Sequence, residues 1–519
     1  MNARTYRNLG VSFLLAAFLL AGIFLLGMTP PALADDQTFF VKPDGAGTAC
    51  SQANPCALQT ALEQAGDGST IYLAQGIYTG TGTAVISITR SITLAGGWNG
   101  APAGPVLRDP AAYPTTLDGE GARRVVSIGR FITVTIEGLT ITNGVVTDMG
   151  AGFFAEDANL TLRHTTIYSN VADAHTATNT LGGGGYVLGG TFQLLSSTVR
   201  ANDAWCNGCP RTQGGGLYIY GTTAVTIEDS LLEANDAWQG SGLEFDGGSG
   251  RRPILIRRTI FRDNGWGLSP GGGVGGYAGG AHLAWAVAHI EDCLFEHNRA
   301  GNDTGALYFT GGELLLARSV FRNNEAHRTA GVELWNTSPF TLTNNLIADN
   351  RPGLGAEAGA LSIRSNSTGS LLHNTIARNT GTRGGYGIEV NSGQPITLVN
   401  TILVSHTVGI TVTAGSTATL EGTLWGIGAW ANGTDWGGAG TILTGLVNVW
   451  GDPDFENPAG GDYHIRRGSA AVDAGVNAGV PTDMDGDRRP IGAGFDIGAD
   501  EYMPEYMPGV HLPLIIRRR

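Results

Sequence analysis

PILIRRTIFRDN (residues 253–264) is the phrase that decides the fold, because it returns as VAHIEDCLFEHN (287–298), ELLLARSVFRNN (313–324) and PFTLTNNLIADN (339–350). Each version ends on asparagine and has apolar residues three and eight positions before that asparagine. Units that recur in this way bury their apolar side chains against the neighbouring unit rather than folding alone. The stretch Arg252–Asn350 therefore predicts a stack of coils.

The repeat extends on both sides of this stretch. A version that is shorter by one residue ends at Asn143, and His406 stands where the last asparagine is expected. The spacing of the asparagines runs from 26 (Asn298 to Asn324) to 34 (Asn264 to Asn298). The row between these ends is Asn170, Asn202, Asn235, Asn264, Asn298, Asn324, Asn350 and Asn379.

A second apolar segment lies between successive asparagines, in forms such as GGLYIY (215–220), SGLEFD (241–246) and GAHLAW (280–285). Two or three short strands per period of about 30 residues, separated by glycine-rich turns, are typical of one coil of a parallel β-helix. The sequence therefore predicts an all-β solenoid with its repeats over residues 131–450. Residues 35–130 are expected to form an N-terminal cap and the first coils, with a short helix in PCALQTALEQA (55–65).

Composition and charge exclude some functions. The 519 residues include 81 glycines without the three-residue period of collagen, and 42% are hydrophobic, enough for a long core. The formal charge of −14 argues against nucleic acid, because recognition of phosphates needs a basic surface.

Residues 1–34 are typical of a secretory signal peptide, with basic residues, an apolar run from Leu9 to Met28, and Ala32-Leu33-Ala34 before the expected cut. The apolar run is also long enough to remain as a membrane anchor. Export would permit disulfides. Two local pairs are expected, Cys50 with Cys56 and Cys206 with Cys209, and Cys293 is expected to be a buried thiol.

Most of the exported part resembles the right-handed parallel β-helix family, the pectate-lyase-like superfamily. The pairs GGAHLAW…FEHN and TGALYFT…FRNN are also similar to the repeats of polymorphic outer-membrane-protein adhesins. DPDFENPAGGDYHIRRGSAAVDAG (452–475) and DMDGDRRPIGAGFDIGADEY (483–502) resemble the choice-of-anchor Q domain of secreted bacterial proteins. The resemblances imply a right-handed coil and surface or extracellular placement. They also imply an anchor-type domain over residues 451–503, and the family of this domain has no assigned reaction.

The C-terminal tail, residues 504–519, has a short apolar run before three arginines. It is too short to span a membrane. We leave two interpretations open: a tag read by export or anchoring machinery, or a frayed end or last capping strand.

The asparagine row has a structural and a functional interpretation. Asparagine side chains at coil turns can bond the backbone of their own and adjacent coils, and asparagine tolerates left-handed turns. A row of ligand amides is the alternative. The row spans the whole solenoid whereas a site is local, which favours the structural role.

Alternation along the second segment turns every other side chain away from the core. One outward column is Tyr186, Tyr218, Glu244, His282, Tyr308, Glu333, Ser362 and Glu389; another, two residues on, is Tyr220, Asp246, Ala284, Thr310, Trp335, Arg364 and Asn391. Aromatic faces beside carboxylates suit a carbohydrate groove. The candidate ligand-binding residues are Tyr218, Tyr220, Tyr308, Glu333, Trp335 and Glu389. The alternative is that these polar residues only solvate an exposed sheet.

Catalysis on the same face is a further hypothesis. Glycoside hydrolysis needs two carboxylates roughly 5 to 9.5 Å apart, and Glu244 and Asp246 on one strand fall near that range. His282, one coil away, is a candidate proton shuttle. Polysaccharide lyases of the resembled superfamily use clustered acids that hold calcium and a basic residue that abstracts a proton; the sequence has no dense acidic cluster with a facing Lys or Arg on one strand.

The segment TDMDGDRRP offers alternating carboxylates at Asp483, Asp485 and Asp487, a spacing that calcium can use. The twelfth position of such a loop, where a bidentate glutamate is needed, is Gly494. Ion pairing with the adjacent Arg488 and Arg489 is the alternative.

The sequence thus predicts a secreted or cell-surface protein that binds or adheres to glycans or the envelope without enzymatic activity. A polysaccharide hydrolase or lyase and a passive envelope component are the alternatives. No cofactor is required, calcium is the one that the sequence suggests, and neither a nucleic-acid partner nor a membrane span after signal removal is expected.

Overall fold

The computed structural model describes residues 37–174, 180–206, 212–265, 276–352, 358–380 and 385–504. Within these ranges 37 strands join into one long parallel sheet that winds as a right-handed β-helix, with a single α-helix at Leu58–Gln64. The predicted all-β solenoid is confirmed. The predicted signal peptide and nearly all of the tail lie outside the described residues.

Each coil contributes strands to three faces, here called A, B and C. Face A contains the segment between the asparagines. Its strands are Ala84–Ile88, Arg124–Ile128, Phe153–Glu156, Gly185–Leu188, Leu217–Tyr220, Leu243–Asp246, the first parts of Ala281–Glu291, Leu307–Ala317 and Val332–Thr343, then Ala358–Arg364, Tyr386–Asn391, Val408–Val412 and Thr434–Gly437.

Face B follows face A in each coil. Its strands are Thr38–Val41, Thr70–Ala74, Thr93–Trp98, Thr133–Glu137, Asn159–Arg163, Thr191–Leu195, Ala224–Glu228, Arg252–Arg257, the second parts of the same three long strands, Gly369–Leu372, the first parts of Pro395–Val404 and Thr417–Gly426, and Thr441–Thr444.

Face C ends in the phrase-ending asparagine. Its strands are Gly76–Tyr78, Thr115–Asp118, Thr140–Thr142, Thr166–Tyr168, Thr198–Arg200, Leu231–Glu233, Ile260–Arg262, Leu294–Glu296, Val320–Arg322, Leu346–Ala348, Thr375–Ala377, the last parts of Pro395–Val404 and Thr417–Gly426, and Asn448–Gly451.

Short strands and turns complete the solenoid. The short parallel strands are Val145–Val146, Val171–Ala174 and Asp203–Cys206; Thr180–Leu181 and Thr212–Gln213; and Arg299–Ala300, Glu325–Ala326 and Arg351–Pro352. An antiparallel pair joins Phe455–Asn457 to Asp462–Ile465, and 3₁₀ turns lie at Gly248–Gly250, Gly428–Trp430 and Pro458–Gly460.

The core explains the apolar positions of the repeated phrase. The rings of Phe261, Phe295 and Phe321 stack in register on successive coils, with centroids 4.5 and 4.8 Å apart and no exposed surface. Because strands of adjacent coils pair in parallel, equivalent side chains stand directly above one another. Burial of such rings is the main stabilising term of each coil.

The eight asparagines form a buried ladder at the end of face C. In all but the last, Asn379, Nδ2 donates to the Oδ1 of the asparagine in the next coil, as from Asn264 to Asn298 at 2.9 Å and from Asn298 to Asn324 at 3.0 Å. The backbone N–H of the same seven residues donates to that Oδ1 as well. Asn379 lies 3.3 Å from His406 Nε2, and the His406 N–H donates to Asn432 Oδ1 at 2.9 Å, so His406 interrupts the row of amides.

The left-handed turns lie one residue earlier than expected. The residue before each ladder asparagine has a positive φ, for example 54° at Asp263 and 56° at His297, whereas the ladder asparagines do not. Asn143 also has a positive φ, and the neighbouring Gly144 donates its N–H to Asn170. Asn143 therefore occupies the turn position, which explains why that version of the phrase looks shorter.

The N-terminal end is covered by the predicted short helix, Leu58–Gln64, which buries Leu58 and Ala61. Cys50 and Cys56 form a disulfide beside it, with 4.6 Å between their Cα atoms. Cys293 is buried and donates to a backbone carbonyl of its own coil. Cys206 is disulfide-bonded, and Cys209, its predicted partner, lies outside the described residues.

The C-terminal segment packs on the outside of face C rather than at the end of the stack. Phe455, Tyr463 and Ile465 share an apolar cluster with Leu346 and Ala377. Polar contacts fix the same interface, since Asn344 Nδ2 donates to Thr482 O and Tyr463 Oη donates to Asp349. No helix in the described part of the chain is long and apolar enough to cross a membrane.

Candidate functional site

The first outward column of face A is covered rather than open. Tyr218, Glu244, His282 and Glu333 expose 8%, 2%, 6% and 0% of their surface. The alternative of a solvated, exposed sheet is therefore wrong for these residues. Alternation shows correctly that they point away from the core, but it says nothing about what lies above them.

The cover comes from the segments that lead from each ladder asparagine back to face A. Gln239 bonds Glu244, and Thr304 bonds Glu333. These segments pair with one another from coil to coil through bridges such as Gln213↔Gln239 and Ala278↔Thr304. They form a narrow fourth ladder above the column.

Glu244 and His282 form a buried pair on adjacent strands. Glu244 Oε1 lies 2.8 Å from His282 Nδ1 and accepts a hydrogen bond from Gln239 Nε2 at 3.1 Å. Gln239 Nε2 also lies 2.8 Å from His282 Nδ1. Glu244 Oε2 is buried and has no hydrogen-bond partner among the described residues. Burial raises the pKa of the Glu244 carboxyl, and His282 opposes that rise.

The second nitrogen of His282 points to the other outward column. His282 Nε2 lies 3.0 Å from Thr310 Oγ1, and the imidazole stacks on the Tyr308 ring with centroids 4.9 Å apart. Glu244, His282 and Thr310 therefore form a continuous chain of contacts across three coils. The sequence placed these residues on one face, but the chain of contacts was not predicted.

Asp246, the predicted partner of Glu244, has a different environment. Its Oδ1 accepts the backbone N–H of Gly248 in the turn after the strand, and its side chain is half-buried. Glu244 instead lies beneath Gln239. The two carboxyls thus serve different partners, which gives little support to a hydrolytic pair.

A second polar network surrounds Glu333. Thr304 Oγ1 donates to Glu333 Oε2 at 3.1 Å, and Arg364 Nε lies 3.5 Å from Oε1. Arg364 also pairs with Glu389, which accepts a bond from Ser362. Burial raises the pKa of the Glu333 carboxyl, and Arg364 opposes that rise. Because both carboxylates are paired with Arg364, Glu333 and Glu389 serve mainly to connect neighbouring coils.

Two adjoining cavities open onto this face. The smaller, about 260 Å³, is lined by Trp238, Gln239, Tyr277, His282, Tyr308 and Thr310. The larger, about 570 Å³, is lined by Trp285, Tyr308, Thr310, Gly311, Trp335, Asn336, Ser365 and Asn366. Tyr308 and Thr310 line both. The cavities therefore form one groove, centred on these two residues.

Exposed tryptophans form the floor of the larger cavity. Trp285 and Trp335 expose 45% and 38% of their surface. The Trp285 ring covers Gly311, where an added Cβ would lie 2.9 Å from the ring and φ is +65°. Glycine at this position thus lets the ring lie flat against the next coil.

The predicted ligand-binding residues separate into two groups. Tyr308 and Trp335 line the groove. Tyr218, Tyr220, Glu333 and Glu389 are not part of that lining; Tyr218 stacks on Tyr186 at 5.3 Å, and Tyr220 is 40% exposed elsewhere on the face. Trp238, Gln239, Tyr277 and Trp285 were missed, and for Trp285 the final letter of GAHLAW was an available signal.

The three alternating aspartates of the C-terminal segment have separate roles. Asp483 accepts backbone N–H groups from Asp485, Asp487 and Glu501. Arg489 pairs with Glu501 at 2.7 Å, both fully buried. The side chain of Asp483 thus orders the backbone of this segment, and the calcium prediction stays a prediction.

Asp485 belongs to a different group. The described residues contain one group of three possible metal ligands whose ligand atoms all lie within 4.8 Å of one another. Its members are His464, Asp485 and Asp500. Hydrogen bonds from His464 to Asp485, and to Asp462, raise the pKa of His464 to about 10, so that its positive charge balances the acids.

Comparison with known proteins agrees with the fold. A family model described as "Right handed beta helix region" matches residues 254–424. No curated protein matches the sequence. The chain is similar in structure to pectate lyase Pel9A (12% identity, TM-score 0.34, covering 90% of this chain and 96% of that one).

Two further structures are similar at the same level. Bacteriophage CBA120 tailspike protein 3 has 12% identity and a TM-score of 0.39, covering 79% of this chain and 61% of the tailspike. The Azotobacter vinelandii mannuronan C-5 epimerase AlgE6 A-module has 13% identity and a TM-score of 0.29, covering 80% and 98%. With TM-scores below 0.5, none of the three carries an argument about function.

Proposed function

We propose that this chain is a secreted or cell-surface protein that binds a polysaccharide in the groove around Tyr308 and Thr310. The observation that carries the proposal is the aromatic lining of the two adjoining cavities, with Trp285 and Trp335 exposed in the larger one. Soluble proteins seldom expose large aromatic rings side by side without a ligand for them.

The spacing of the rings suits a chain of sugars. Trp335 follows Thr310 and Ala284 in the parallel register, so it lies two coils from the strand that carries Trp285. Coils are about 4.8 Å apart, which separates the two positions by about 9.6 Å. Flat rings at this separation can stack against every second pyranose ring of an extended chain, while hydroxyl and amide groups bind the sugar hydroxyls.

The polar groups of the larger cavity are mostly neutral. Thr310, Asn336, Ser365 and Asn366 line it beside the aromatic rings. The nearby acids Glu333 and Asp303 are paired with Arg364 and Arg328. This balance favours a neutral polysaccharide as the ligand over a strongly charged one.

Export and attachment belong to the same proposal. The signal-like residues 1–34 and the anchor-type resemblance of residues 451–503 support a position outside the cell. A segment that docks on face C leaves face A free for a ligand. A calcium requirement remains a separate prediction, tested by comparing melting temperatures with calcium and with EDTA.

Affinity electrophoresis tests the binding. The mature chain is run in gels containing neutral polysaccharides of different backbone, and we expect retardation in at least one. Trp285→Ala and Trp335→Ala should each weaken the affinity measured from retardation by about fivefold or more, because burying an aromatic face against a sugar is worth about 1–3 kcal/mol per ring. Phe131→Ala is the control for loss of an exposed ring, since Phe131 is 82% exposed and is not part of the groove lining. Retardation that is equal in all four proteins would refute the groove.

A further inference from the structure

We propose that the groove also cleaves ester-linked acyl groups, with Thr310 as nucleophile, His282 as general base and Glu244 as the residue that positions His282. This inference rests on the proposed binding function, because it makes an O-acylated polysaccharide the substrate of the same groove. The contacts that carry it are Glu244 Oε1 to His282 Nδ1 at 2.8 Å and His282 Nε2 to Thr310 Oγ1 at 3.0 Å.

This order of groups is what an activated hydroxyl requires. A hydroxyl is a weak nucleophile unless a base takes its proton, and the base must be held in the correct tautomer by a third group. Glu244 Oε1 can accept a hydrogen bond from Nδ1–H whether or not the carboxyl is ionised, since a proton can reside on the unpartnered Oε2. In this tautomer Gln239 Nε2, which lies 2.8 Å from Nδ1, donates to Glu244 Oε1 and not to the imidazole, and Nε2 of His282 is left to accept the Thr310 proton.

Other buried histidines show that this arrangement is not a general feature of the scaffold. His373 and His406 are buried, and each lies beside an asparagine amide, at 2.9 Å from Asn400 and 3.3 Å from Asn379. Burial lowers the pKa of each to about 3, so both stay neutral. His282 differs because it connects a buried carboxyl to a hydroxyl at the edge of a cavity.

The two cavities suit the two parts of an acylated sugar. Thr310 lines both. The larger cavity, with Trp285 and Trp335, takes the sugar rings, while the smaller one beside His282 has room for an acyl group such as acetyl. The lining of the smaller cavity includes Tyr277 and Trp238, two residues whose side chains carry hydrogen-bond donors of the kind that a carbonyl oxygen needs.

The reaction balances with water as the second substrate. Thr310 Oγ1 forms a bond to the ester carbonyl carbon as its proton passes to His282 Nε2. The carbon–oxygen bond to the sugar then breaks, and the sugar oxygen takes that proton. Water, deprotonated by His282, next attacks the acyl-threonine, which releases the carboxylic acid and restores the Thr310 hydroxyl.

The test uses p-nitrophenyl acetate with the mature chain, so that hydrolysis is measured without a polysaccharide. We expect Thr310→Val to lower the rate by at least about 100-fold and Thr310→Ser to retain hydrolysis. Thr411→Val is the control, because Thr411 is a half-buried threonine of face A beside Glu389. Peptide mass spectrometry after an acid quench should find the acetyl group on Thr310.

Each result decides the proposal. A wild-type rate no higher than buffer, equal rates for wild type and Thr310→Val, or an acetyl group on another residue would overturn it. Thr310→Ser separates loss of the hydroxyl from loss of the fold, with circular dichroism of both variants as the check. Retardation by polysaccharide without ester hydrolysis would leave the binding function standing and remove this inference. Hydrolysis at Thr310 without retardation would support the ester-cleaving residues but overturn both the binding function and the polysaccharide substrate.

Discussion

The asparagine ladder and the outward column of face A are both rows of buried polar side chains, but they differ in how fully their hydrogen-bonding groups are paired. In the ladder each amide repeats the contacts of the one before it, as at Asn264 and Asn298. In the outward column the residue type changes in every coil after Tyr218, and Glu244 keeps an oxygen without a partner among the described residues. A regular row whose side chains are all hydrogen-bonded stabilises a fold. An irregular row that leaves a buried polar atom without a hydrogen bond beside a cavity is a candidate site for catalysis.

The largest effect that separates the two rows should come from Asn298→Ala. This change removes two bonds donated by Nδ2 and leaves two Asn264 donors without Oδ1. Buried groups left unpaired cost about 1–3 kcal/mol each, so we expect a loss of about 3–5 kcal/mol in the free energy of unfolding. Denaturant unfolding measures it. A loss below about 1 kcal/mol would mean that the ladder is not a main source of stability.

Much of this contrast was accessible from the sequence. The asparagine spacing predicted the ladder, and the apolar positions of the phrase predicted the stacked Phe261, Phe295 and Phe321. The orientation of Glu244 and His282 followed from alternation. Local pattern determines these features because each depends only on the period of the coil.

The burial of the outward column could not be predicted, because it depends on segments elsewhere in the chain. Gln239 and Thr304 reach Glu244 and Glu333 from turns of variable length, and no period connects them. Trp238 and Tyr277 could not be predicted for the same reason, because they belong to the segments that cover the outward column. The packing of the C-terminal segment on face C could not be predicted either, because it depends on contacts between residues far apart in the sequence.

His406, which interrupts the ladder between Asn379 and Asn432, should make stability depend on pH. Burial lowers the pKa of His406 to about 3 from an ordinary 6.5, so the unfolded chain binds a proton below pH 6.5 that the folded chain refuses. The stability linked to this residue is therefore present above pH 6.5 and is lost as the pH falls toward 3.

His406→Asn should remove this acid sensitivity by placing an amide in the ladder. At pH 5 the linkage amounts to about 2 kcal/mol, so the variant should gain roughly that much relative to wild type at pH 5 compared with pH 8. Thermal melting at the two pH values measures the difference. An equal difference between the proteins at both values would show that His406 does not titrate in this way.

The smallest effect is expected in the outward column. Burial raises the pKa of Glu244, so an ionised carboxylate there costs stability at neutral pH. Glu244→Gln keeps the shape and an acceptor oxygen, and we expect the free energy of unfolding at pH 7 to stay within about 1 kcal/mol of wild type. A loss of unfolding free energy as large as that of Asn298→Ala would show that the outward column stabilises the fold as much as the asparagine ladder does, contrary to this prediction.

The most direct test measures polysaccharide retardation and melting temperature together for Asn298→Ala and for the double variant Trp285→Ala/Trp335→Ala. We expect Asn298→Ala to melt at a lower temperature but still to be retarded when folded. The double tryptophan variant should melt like wild type and lose retardation. If the double variant were retarded as strongly as wild type, the site would not be the groove around Tyr308.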